Sequence, residues 1–90
     1  MRERDIESAL LGAVHAAGGL AFKFVSPGRR SVPDRIVLLP GQPVVFVECK
    51  APGKKPTAAQ LREHERMAAA GARVYIVDSL ESARAFPRGF

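Results

Sequence analysis

The sequence predicts an α/β domain with a mixed central sheet flanked by helices, in the order α-β-β-β-α-β-α. Three observations carry this. Apolar residues at helical spacing open the chain. Three short β-branched or aromatic runs follow, separated by Gly, Pro and Ser. A helix with a capping signature, one more apolar run and a short helix close it. A hairpin followed by a β-α-β crossover gives a sheet of mixed strand direction with helices on its faces.

Arg4 to Ala17 places Ile6, Leu10, Ala13, Val14 and Ala17 on one stripe, and Gly18-Gly19 stops the helix. Leu20 to Val25 reads as a strand, and Ser26-Pro27-Gly28-Arg29-Arg30-Ser31 as an exposed, charged loop. Asp34 to Leu39 and Val44 to Lys50 form a hairpin through the Pro40-Gly41-Gln42 turn. After the loop Ala51 to Pro56, Thr57 and Gln60 make a capping box for a second helix that ends at Gly71. Arg73 to Val77 is the fourth strand. Asp78 with Glu81 is expected to cap a short final helix through Phe86, before Pro87.

Ninety residues, 47% hydrophobic and 26% charged, suit a single stand-alone domain over residues 1 to 90. Because a chain this short has little margin of buried surface, a partner subunit would help. Cys49 is the only cysteine, which excludes an intrachain disulfide. No apolar run approaches the 18 or so residues of a membrane span, and Met1 to Asp5 alternates charges instead of leading into a signal sequence. The expectation is a cytoplasmic protein.

The net charge of +5 is concentrated. Residues 23 to 55 hold seven bases (Lys23, Arg29, Arg30, Arg35, Lys50, Lys54, Lys55) against two acids, while the remainder balances seven against seven. An excess confined to one segment fits an anionic partner such as a phosphate backbone, with a solubilising surface as the alternative.

The candidate chemistry lies in the hairpin. Glu48 and Lys50 share a strand face, since residues two apart point the same way, and the hairpin brings Asp34 to the same end of the sheet. Two carboxylates at one point repel unless a proton or cation lies between them, and hard oxygen ligands favour Mg²⁺ or Mn²⁺. Such an ion beside a lysine suits phosphodiester hydrolysis. The alternative is an ordinary ion pair at a strand end, with Asp34 capping a turn.

Pro33-Asp34, a hairpin and then Glu48-Cys49-Lys50 resemble the PD-(D/E)xK nuclease superfamily. The stretch from Lys23 to Met67, with Ser26-x-Gly28 before the signature and Pro56-Thr57-x-x-Gln60-x-x-x-His64 after it, is similar to the virus-type replication-repair nuclease (VRR-NUC) family. Ser31 stands where that family commonly has glycine, and Cys49 where it usually has an aliphatic residue. The resemblance implies a restriction-endonuclease-like core and a phage or bacterial enzyme. It makes Asp34, Glu48 and the Cys49 carbonyl metal ligands, puts Lys50 beside the attacking water, and gives Glu7 a place as an outer ligand.

Glu7 falls inside the apolar arc of the first helix, so it needs a partner: the metal of the resemblance, or a salt bridge to Lys23 or Arg35. Gln60 and His64, a turn apart, are expected on the sheet-facing side with Leu61, Met67 and Ala68. Gln60 caps the helix and, by the resemblance, orients the catalytic water, whereas His64 reads as a satisfied structural histidine. His15 has no identifiable partner. Lys23, Ser26, Arg29, Arg30, Lys54 and Lys55 are the candidate nucleic-acid contacts. These readings converge on a metal-dependent endodeoxyribonuclease, expected as a homodimer; the resemblance implies branched DNA such as four-way junctions as its substrate. A non-catalytic nucleic-acid-binding module and a restriction-type duplex endonuclease are the rivals.

Overall fold

A computed structural model describes residues 1–90. The opening stripe forms helix α1 (Glu3–Ala16), which buries Ile6, Leu10 and Val14 completely because steps of four return to one side of a helix. The Arg2 backbone N–H donates to Asp5 at 2.8 Å, and Glu3 and Asp5 occupy the first turn, where the helix dipole favours negative charge. The stop is sharp. Gly18 takes φ +82°, and a Cβ on the buried Gly19 would collide with the Leu38 carbonyl oxygen. Gly19→Ala is therefore expected to lower stability by roughly 1–3 kcal/mol, as overpacking against backbone does. Urea unfolding checks this, and an unchanged midpoint would show that α1 and the sheet separate without cost.

Four strands follow: β1 (Leu20–Lys23), β2 (Arg35–Leu38), β3 (Val45–Cys49) and β4 (Val74–Val77), in spatial order β1-β2-β3-β4. The first three are antiparallel; β3 and β4 are parallel. Helix α2 (Ala58–Ala69) makes the crossover between the parallel pair, α3 (Leu80–Ala85) follows β4, and Phe86–Arg88 is a 3-10 turn. The order of elements is the one expected, with ends moved by one or two residues.

Alternation along the strands separates two faces. Val37, Val45, Val47, Cys49 and Val77 pack with Ile6, Leu10 and Val14 of α1 and with Ala83 and Phe86, each fully buried aliphatic side chain contributing roughly 1.5–3 kcal/mol. The opposite face is only partly covered by α2. Leu20 (50% exposed), Phe22 (52%), Val44 (51%) and Ile76 (42%) remain open there.

Two local expectations are corrected. The final helix is capped by Ser79, not Asp78: the Ser79 hydroxyl accepts from the Ser82 N–H at 2.9 Å, and Ser82 accepts in return from the Ser79 N–H at 3.2 Å. The extended backbone at Ser79 aims its side chain at the free N–H groups, and Glu81 becomes a first-turn acid. On α2, Leu61 and Ala68 are exposed, and the inward positions are Gln60, Glu63, His64 and Met67. Polar anchors set that rotation, because Gln60 and Glu63 are both hydrogen-bonded to groups outside the helix.

Candidate active site

Strand register assembles the hairpin residues. Arg35 pairs with Val47, so the chain just before β2 lies beside the end of β3, and the Cys49 N–H donates to Asp34 Oδ2 at 2.9 Å. Glu48 points to the α2 side and is 1% exposed. Lys50 Nζ lies 3.5 Å from Glu48 Oε2, an atom that also accepts from Gln60 Nε2 at 3.2 Å. Gln60 is held by the capping box: its Oε1 accepts from the Thr57 N–H at 2.9 Å, and its own N–H donates to Thr57 Oγ1 at 3.1 Å. One helix cap thus also positions a side chain against the acid of β3.

His64 Nε2 is 3.8 Å from Glu48 Oε1, and both atoms are buried without a hydrogen-bond partner. His64 is therefore not fully satisfied, unlike the structural histidine expected. Burial, the largest influence, holds its pKa below the usual histidine value.

Glu7 does two things. Its Oε2 accepts from Arg35 Nη2 at 3.2 Å, and its carboxylate also joins Glu3 and Asp34 in a group whose oxygens lie within 4.8 Å of one another. Of the four expected ligand residues, Glu7 and Asp34 fall in this group. Glu48 stands next to it, engaged with Lys50 and Gln60, and the Cys49 side chain points into the core, where burial pushes its thiol up to about 12. Glu3 was not among the sequence candidates. Its spacing of four from Glu7, on the same side of α1, is the signal that would have found it.

The carboxyls hold protons unusually tightly. Burial first, then the neighbouring Asp34, raises Glu48 to about 7 against the pull of Lys50. Asp34 and Glu3 are raised as well, again chiefly by burial. The cluster is short of positive charge. An all-carboxylate donor set and the unpartnered Glu48 Oε1 fit a hard divalent cation better than a soft one, which would call for thiolate or imidazole.

Lys23, Arg29, Arg30, Lys54 and Lys55 are exposed, Ser26 is half-buried, and His15 is exposed near the end of α1. Arg29 is not a free loop cation, since its Nε and Nη2 donate to Glu63 Oε1 at 3.1 and 2.8 Å. Arg66 donates to the same carboxylate at 3.2 and 3.3 Å. Ser31 adopts φ 68°, the left-handed conformation that glycine takes easily. Between loop and helix lies a cleft of about 350 Å³ lined by Arg29, Arg30, Ser31, Ala59, Arg62, Glu63 and Arg66, with none of Glu3, Glu7, Asp34 or Glu48 in its wall.

A solved structure described as a VRR_NUC domain matches this fold with a TM-score of 0.84 and 33% identity, over 98% of this chain and 96% of that one. A protein named "Putative nuclease p44", from Acyrthosiphon pisum secondary endosymbiont phage 1, is 54% identical over 87 residues, 97% of this chain and 94% of the relative. The chain belongs to the VRR-NUC nuclease family. No family model matches the sequence. The VRR-NUC fold accounts for the mixed sheet with its flanking helices, and family membership makes the chain a nuclease. No helix is long and apolar enough to cross a membrane.

Proposed function

We propose that this VRR-NUC protein is a Mg²⁺- or Mn²⁺-dependent endodeoxyribonuclease that hydrolyses phosphodiester bonds in branched DNA, four-way junctions among them. The observation that carries the reading is the buried Glu48 with Lys50 at 3.5 Å, beside the crowded Asp34, Glu7 and Glu3 carboxylates. Asp34, Glu48 and Glu7, with the Cys49 carbonyl, would hold the ion, which when bound supplies Lewis-acid polarisation of the phosphoryl group and eases deprotonation of water. Gln60 fixes the orientation of Glu48 through its amide. Lys50 orients the attacking water and offsets the negative charge that grows in the transition state, a task suited to a compact ammonium. Lys23, Ser26, Arg30, Lys54 and Lys55 provide phosphate contacts around the cut, and with six aromatics (five Phe, one Tyr) a stacking platform for single strands is disfavoured against duplex read by shape.

Labelled duplex, flap and four-way DNA incubated with Mg²⁺, Mn²⁺ or EDTA provides the test. Cleavage is expected with either ion, preferentially of branched substrates. Persistence in EDTA would sink the metal mechanism, and binding without turnover in any ion would favour the non-catalytic module. Cleavage confined to one duplex sequence, with branched substrates cut no faster, would favour a restriction-type enzyme.

The reading extends to a single nuclease domain that works as a homodimer in the cytoplasm of a phage-infected bacterium. One cluster cuts one strand, a junction needs two nicks, and a two-fold axis suits its approximate symmetry. The open apolar residues Leu20, Phe22, Val44 and Ile76 of the sheet offer surface for a second copy. Size exclusion coupled to light scattering should give twice the chain mass, and a cruciform-bearing plasmid should pass directly to linear product. A monomer at micromolar concentration, or nicked circles accumulating first, would count against the dimer.

A further inference from the structure

We propose that the arginine-lined cleft between the loop 26–31 and α2 is a dedicated phosphate subsite that grips one backbone phosphate of the bound strand away from the scissile bond. The choice of ligand rests on the nuclease reading; the site itself rests on its own geometry. Four guanidiniums, from Arg29, Arg30, Arg62 and Arg66, line this cleft against the single carboxylate of Glu63, leaving an excess of three positive charges. Glu63 does not neutralise the cleft but organises it. Its side chain, 7% exposed, takes Nε and Nη2 from both Arg29 and Arg66, and hydrogen bonds from Arg29 first and Arg66 second hold its pKa down to about 2. Two guanidiniums are thereby fixed with their Nη1 groups unused in these bonds, and Arg30 and Arg62 form no ion pair at all.

Gathering four like charges raises the energy of the free protein, and an anion in the cleft relieves that repulsion. Arginine is the side chain suited to it, because its planar fork gives two parallel hydrogen bonds to phosphate oxygens. The lining has one apolar member, Ala59, so the cleft suits a hydrated anion and not an apolar body. Ser31 in the left-handed region forms part of the wall, a strained residue of the kind that binding sites retain. The position on the helix is also apt. Glu63 faces the cleft, and its neighbour His64 lies 3.8 Å from Glu48, so one strand crossing α2 reaches both the carboxylates and the cleft. A phosphate held here would set which bond lies over Glu48.

The test compares Arg62→Ala with Arg84→Ala, which removes the same charge from an exposed position on α3, across the sheet from the cleft. DNA binding is read by fluorescence anisotropy in EDTA over a salt series, alongside inorganic phosphate titrated into the wild-type protein while the arginine side-chain Nε–H resonances are followed by NMR. Arg62→Ala is expected to flatten the slope of log K against log salt by about 0.9, one phosphate contact on duplex DNA, while Arg84→Ala leaves it unchanged. Phosphate is expected to shift the Arg29, Arg62 and Arg66 resonances saturably. Equal slopes for the two variants, or arginine resonances indifferent to phosphate, would overturn the subsite. If the wild-type protein neither binds nor cuts DNA, the nuclease reading fails by itself, and the phosphate titration still decides whether the cleft is an anion site.

Discussion

Replacing Lys50 with alanine is expected to lower the rate of DNA cleavage by about 10²–10³-fold while folding and DNA affinity stay close to those of the parent. The side chain is largely buried, 14% exposed, and its contact is with Glu48, so it does not supply a surface phosphate grip. Its proposed work is done in the transition state, when negative charge grows on the phosphoryl oxygens, and interactions made only there alter turnover without altering binding. The variant should fold, because the Glu48 carboxyl it leaves behind can take up a proton instead of remaining an unpaired buried charge. Single-turnover rates at saturating DNA, with binding measured separately in Ca²⁺ or EDTA, separate the two effects. Wild-type cutting by Lys50→Ala would reduce the Lys50–Glu48 contact to an ordinary ion pair.

The second large effect is on stability, through Glu48. An exposed glutamate titrates near 4.5, whereas this carboxyl is raised to about 7, chiefly by burial and then by Asp34. Between those values the folded chain keeps a proton that the unfolded chain has lost, so metal-free stability falls as pH rises from about 4.5 to 7, by up to about 3 kcal/mol. Asp34, also raised, adds in the same direction. His64 acts the other way, because its lowered pKa makes the unfolded state bind the proton more tightly just below 6.5. The comparison of wild type with Glu48→Gln therefore isolates the carboxyl. In EDTA, Glu48→Gln should gain melting temperature over wild type on going from pH 5 to pH 8. Adding Mg²⁺ or Mn²⁺ should stabilise the wild type more at pH 8 than at pH 5, since the ion replaces the proton. Parallel pH curves for the two proteins, or no response to either ion at pH 8, would contradict this account.

Much of the molecule was legible in the sequence because the signals were local. Strand periodicity is enough to put Glu48 and Lys50 on one face, and the Pro40-Gly41-Gln42 turn is enough to bring Asp34 to them, since a hairpin's register follows from its turn. Thr57 and Gln60 are three residues apart, so their capping box is also local. The exchange of Ser79 for Asp78 at the last cap shows where such signals blur: both residues can cap, and the choice depends on which one the end of β4 leaves in extended backbone.

The sequence by itself determined the order of elements, the hairpin that unites Asp34, Glu48 and Lys50, and the basic segment around them. Only the tertiary structure decided the rotation of α2, which turns Glu63 inward and Leu61 outward, the entry of Glu3 into the carboxylate cluster, and the capture of Arg29 by Glu63 across 34 residues of chain. Periodicity gives the faces of a helix but not which face meets the rest of the protein when charged and apolar residues are mixed on both. That choice is made by contacts distant in sequence. Here guanidinium and amide hydrogen bonds to two buried carboxylates, Glu63 and Glu48, are stronger than what the exposed Leu61 would gain by turning inward, because an unpaired buried charge costs more than an open leucine.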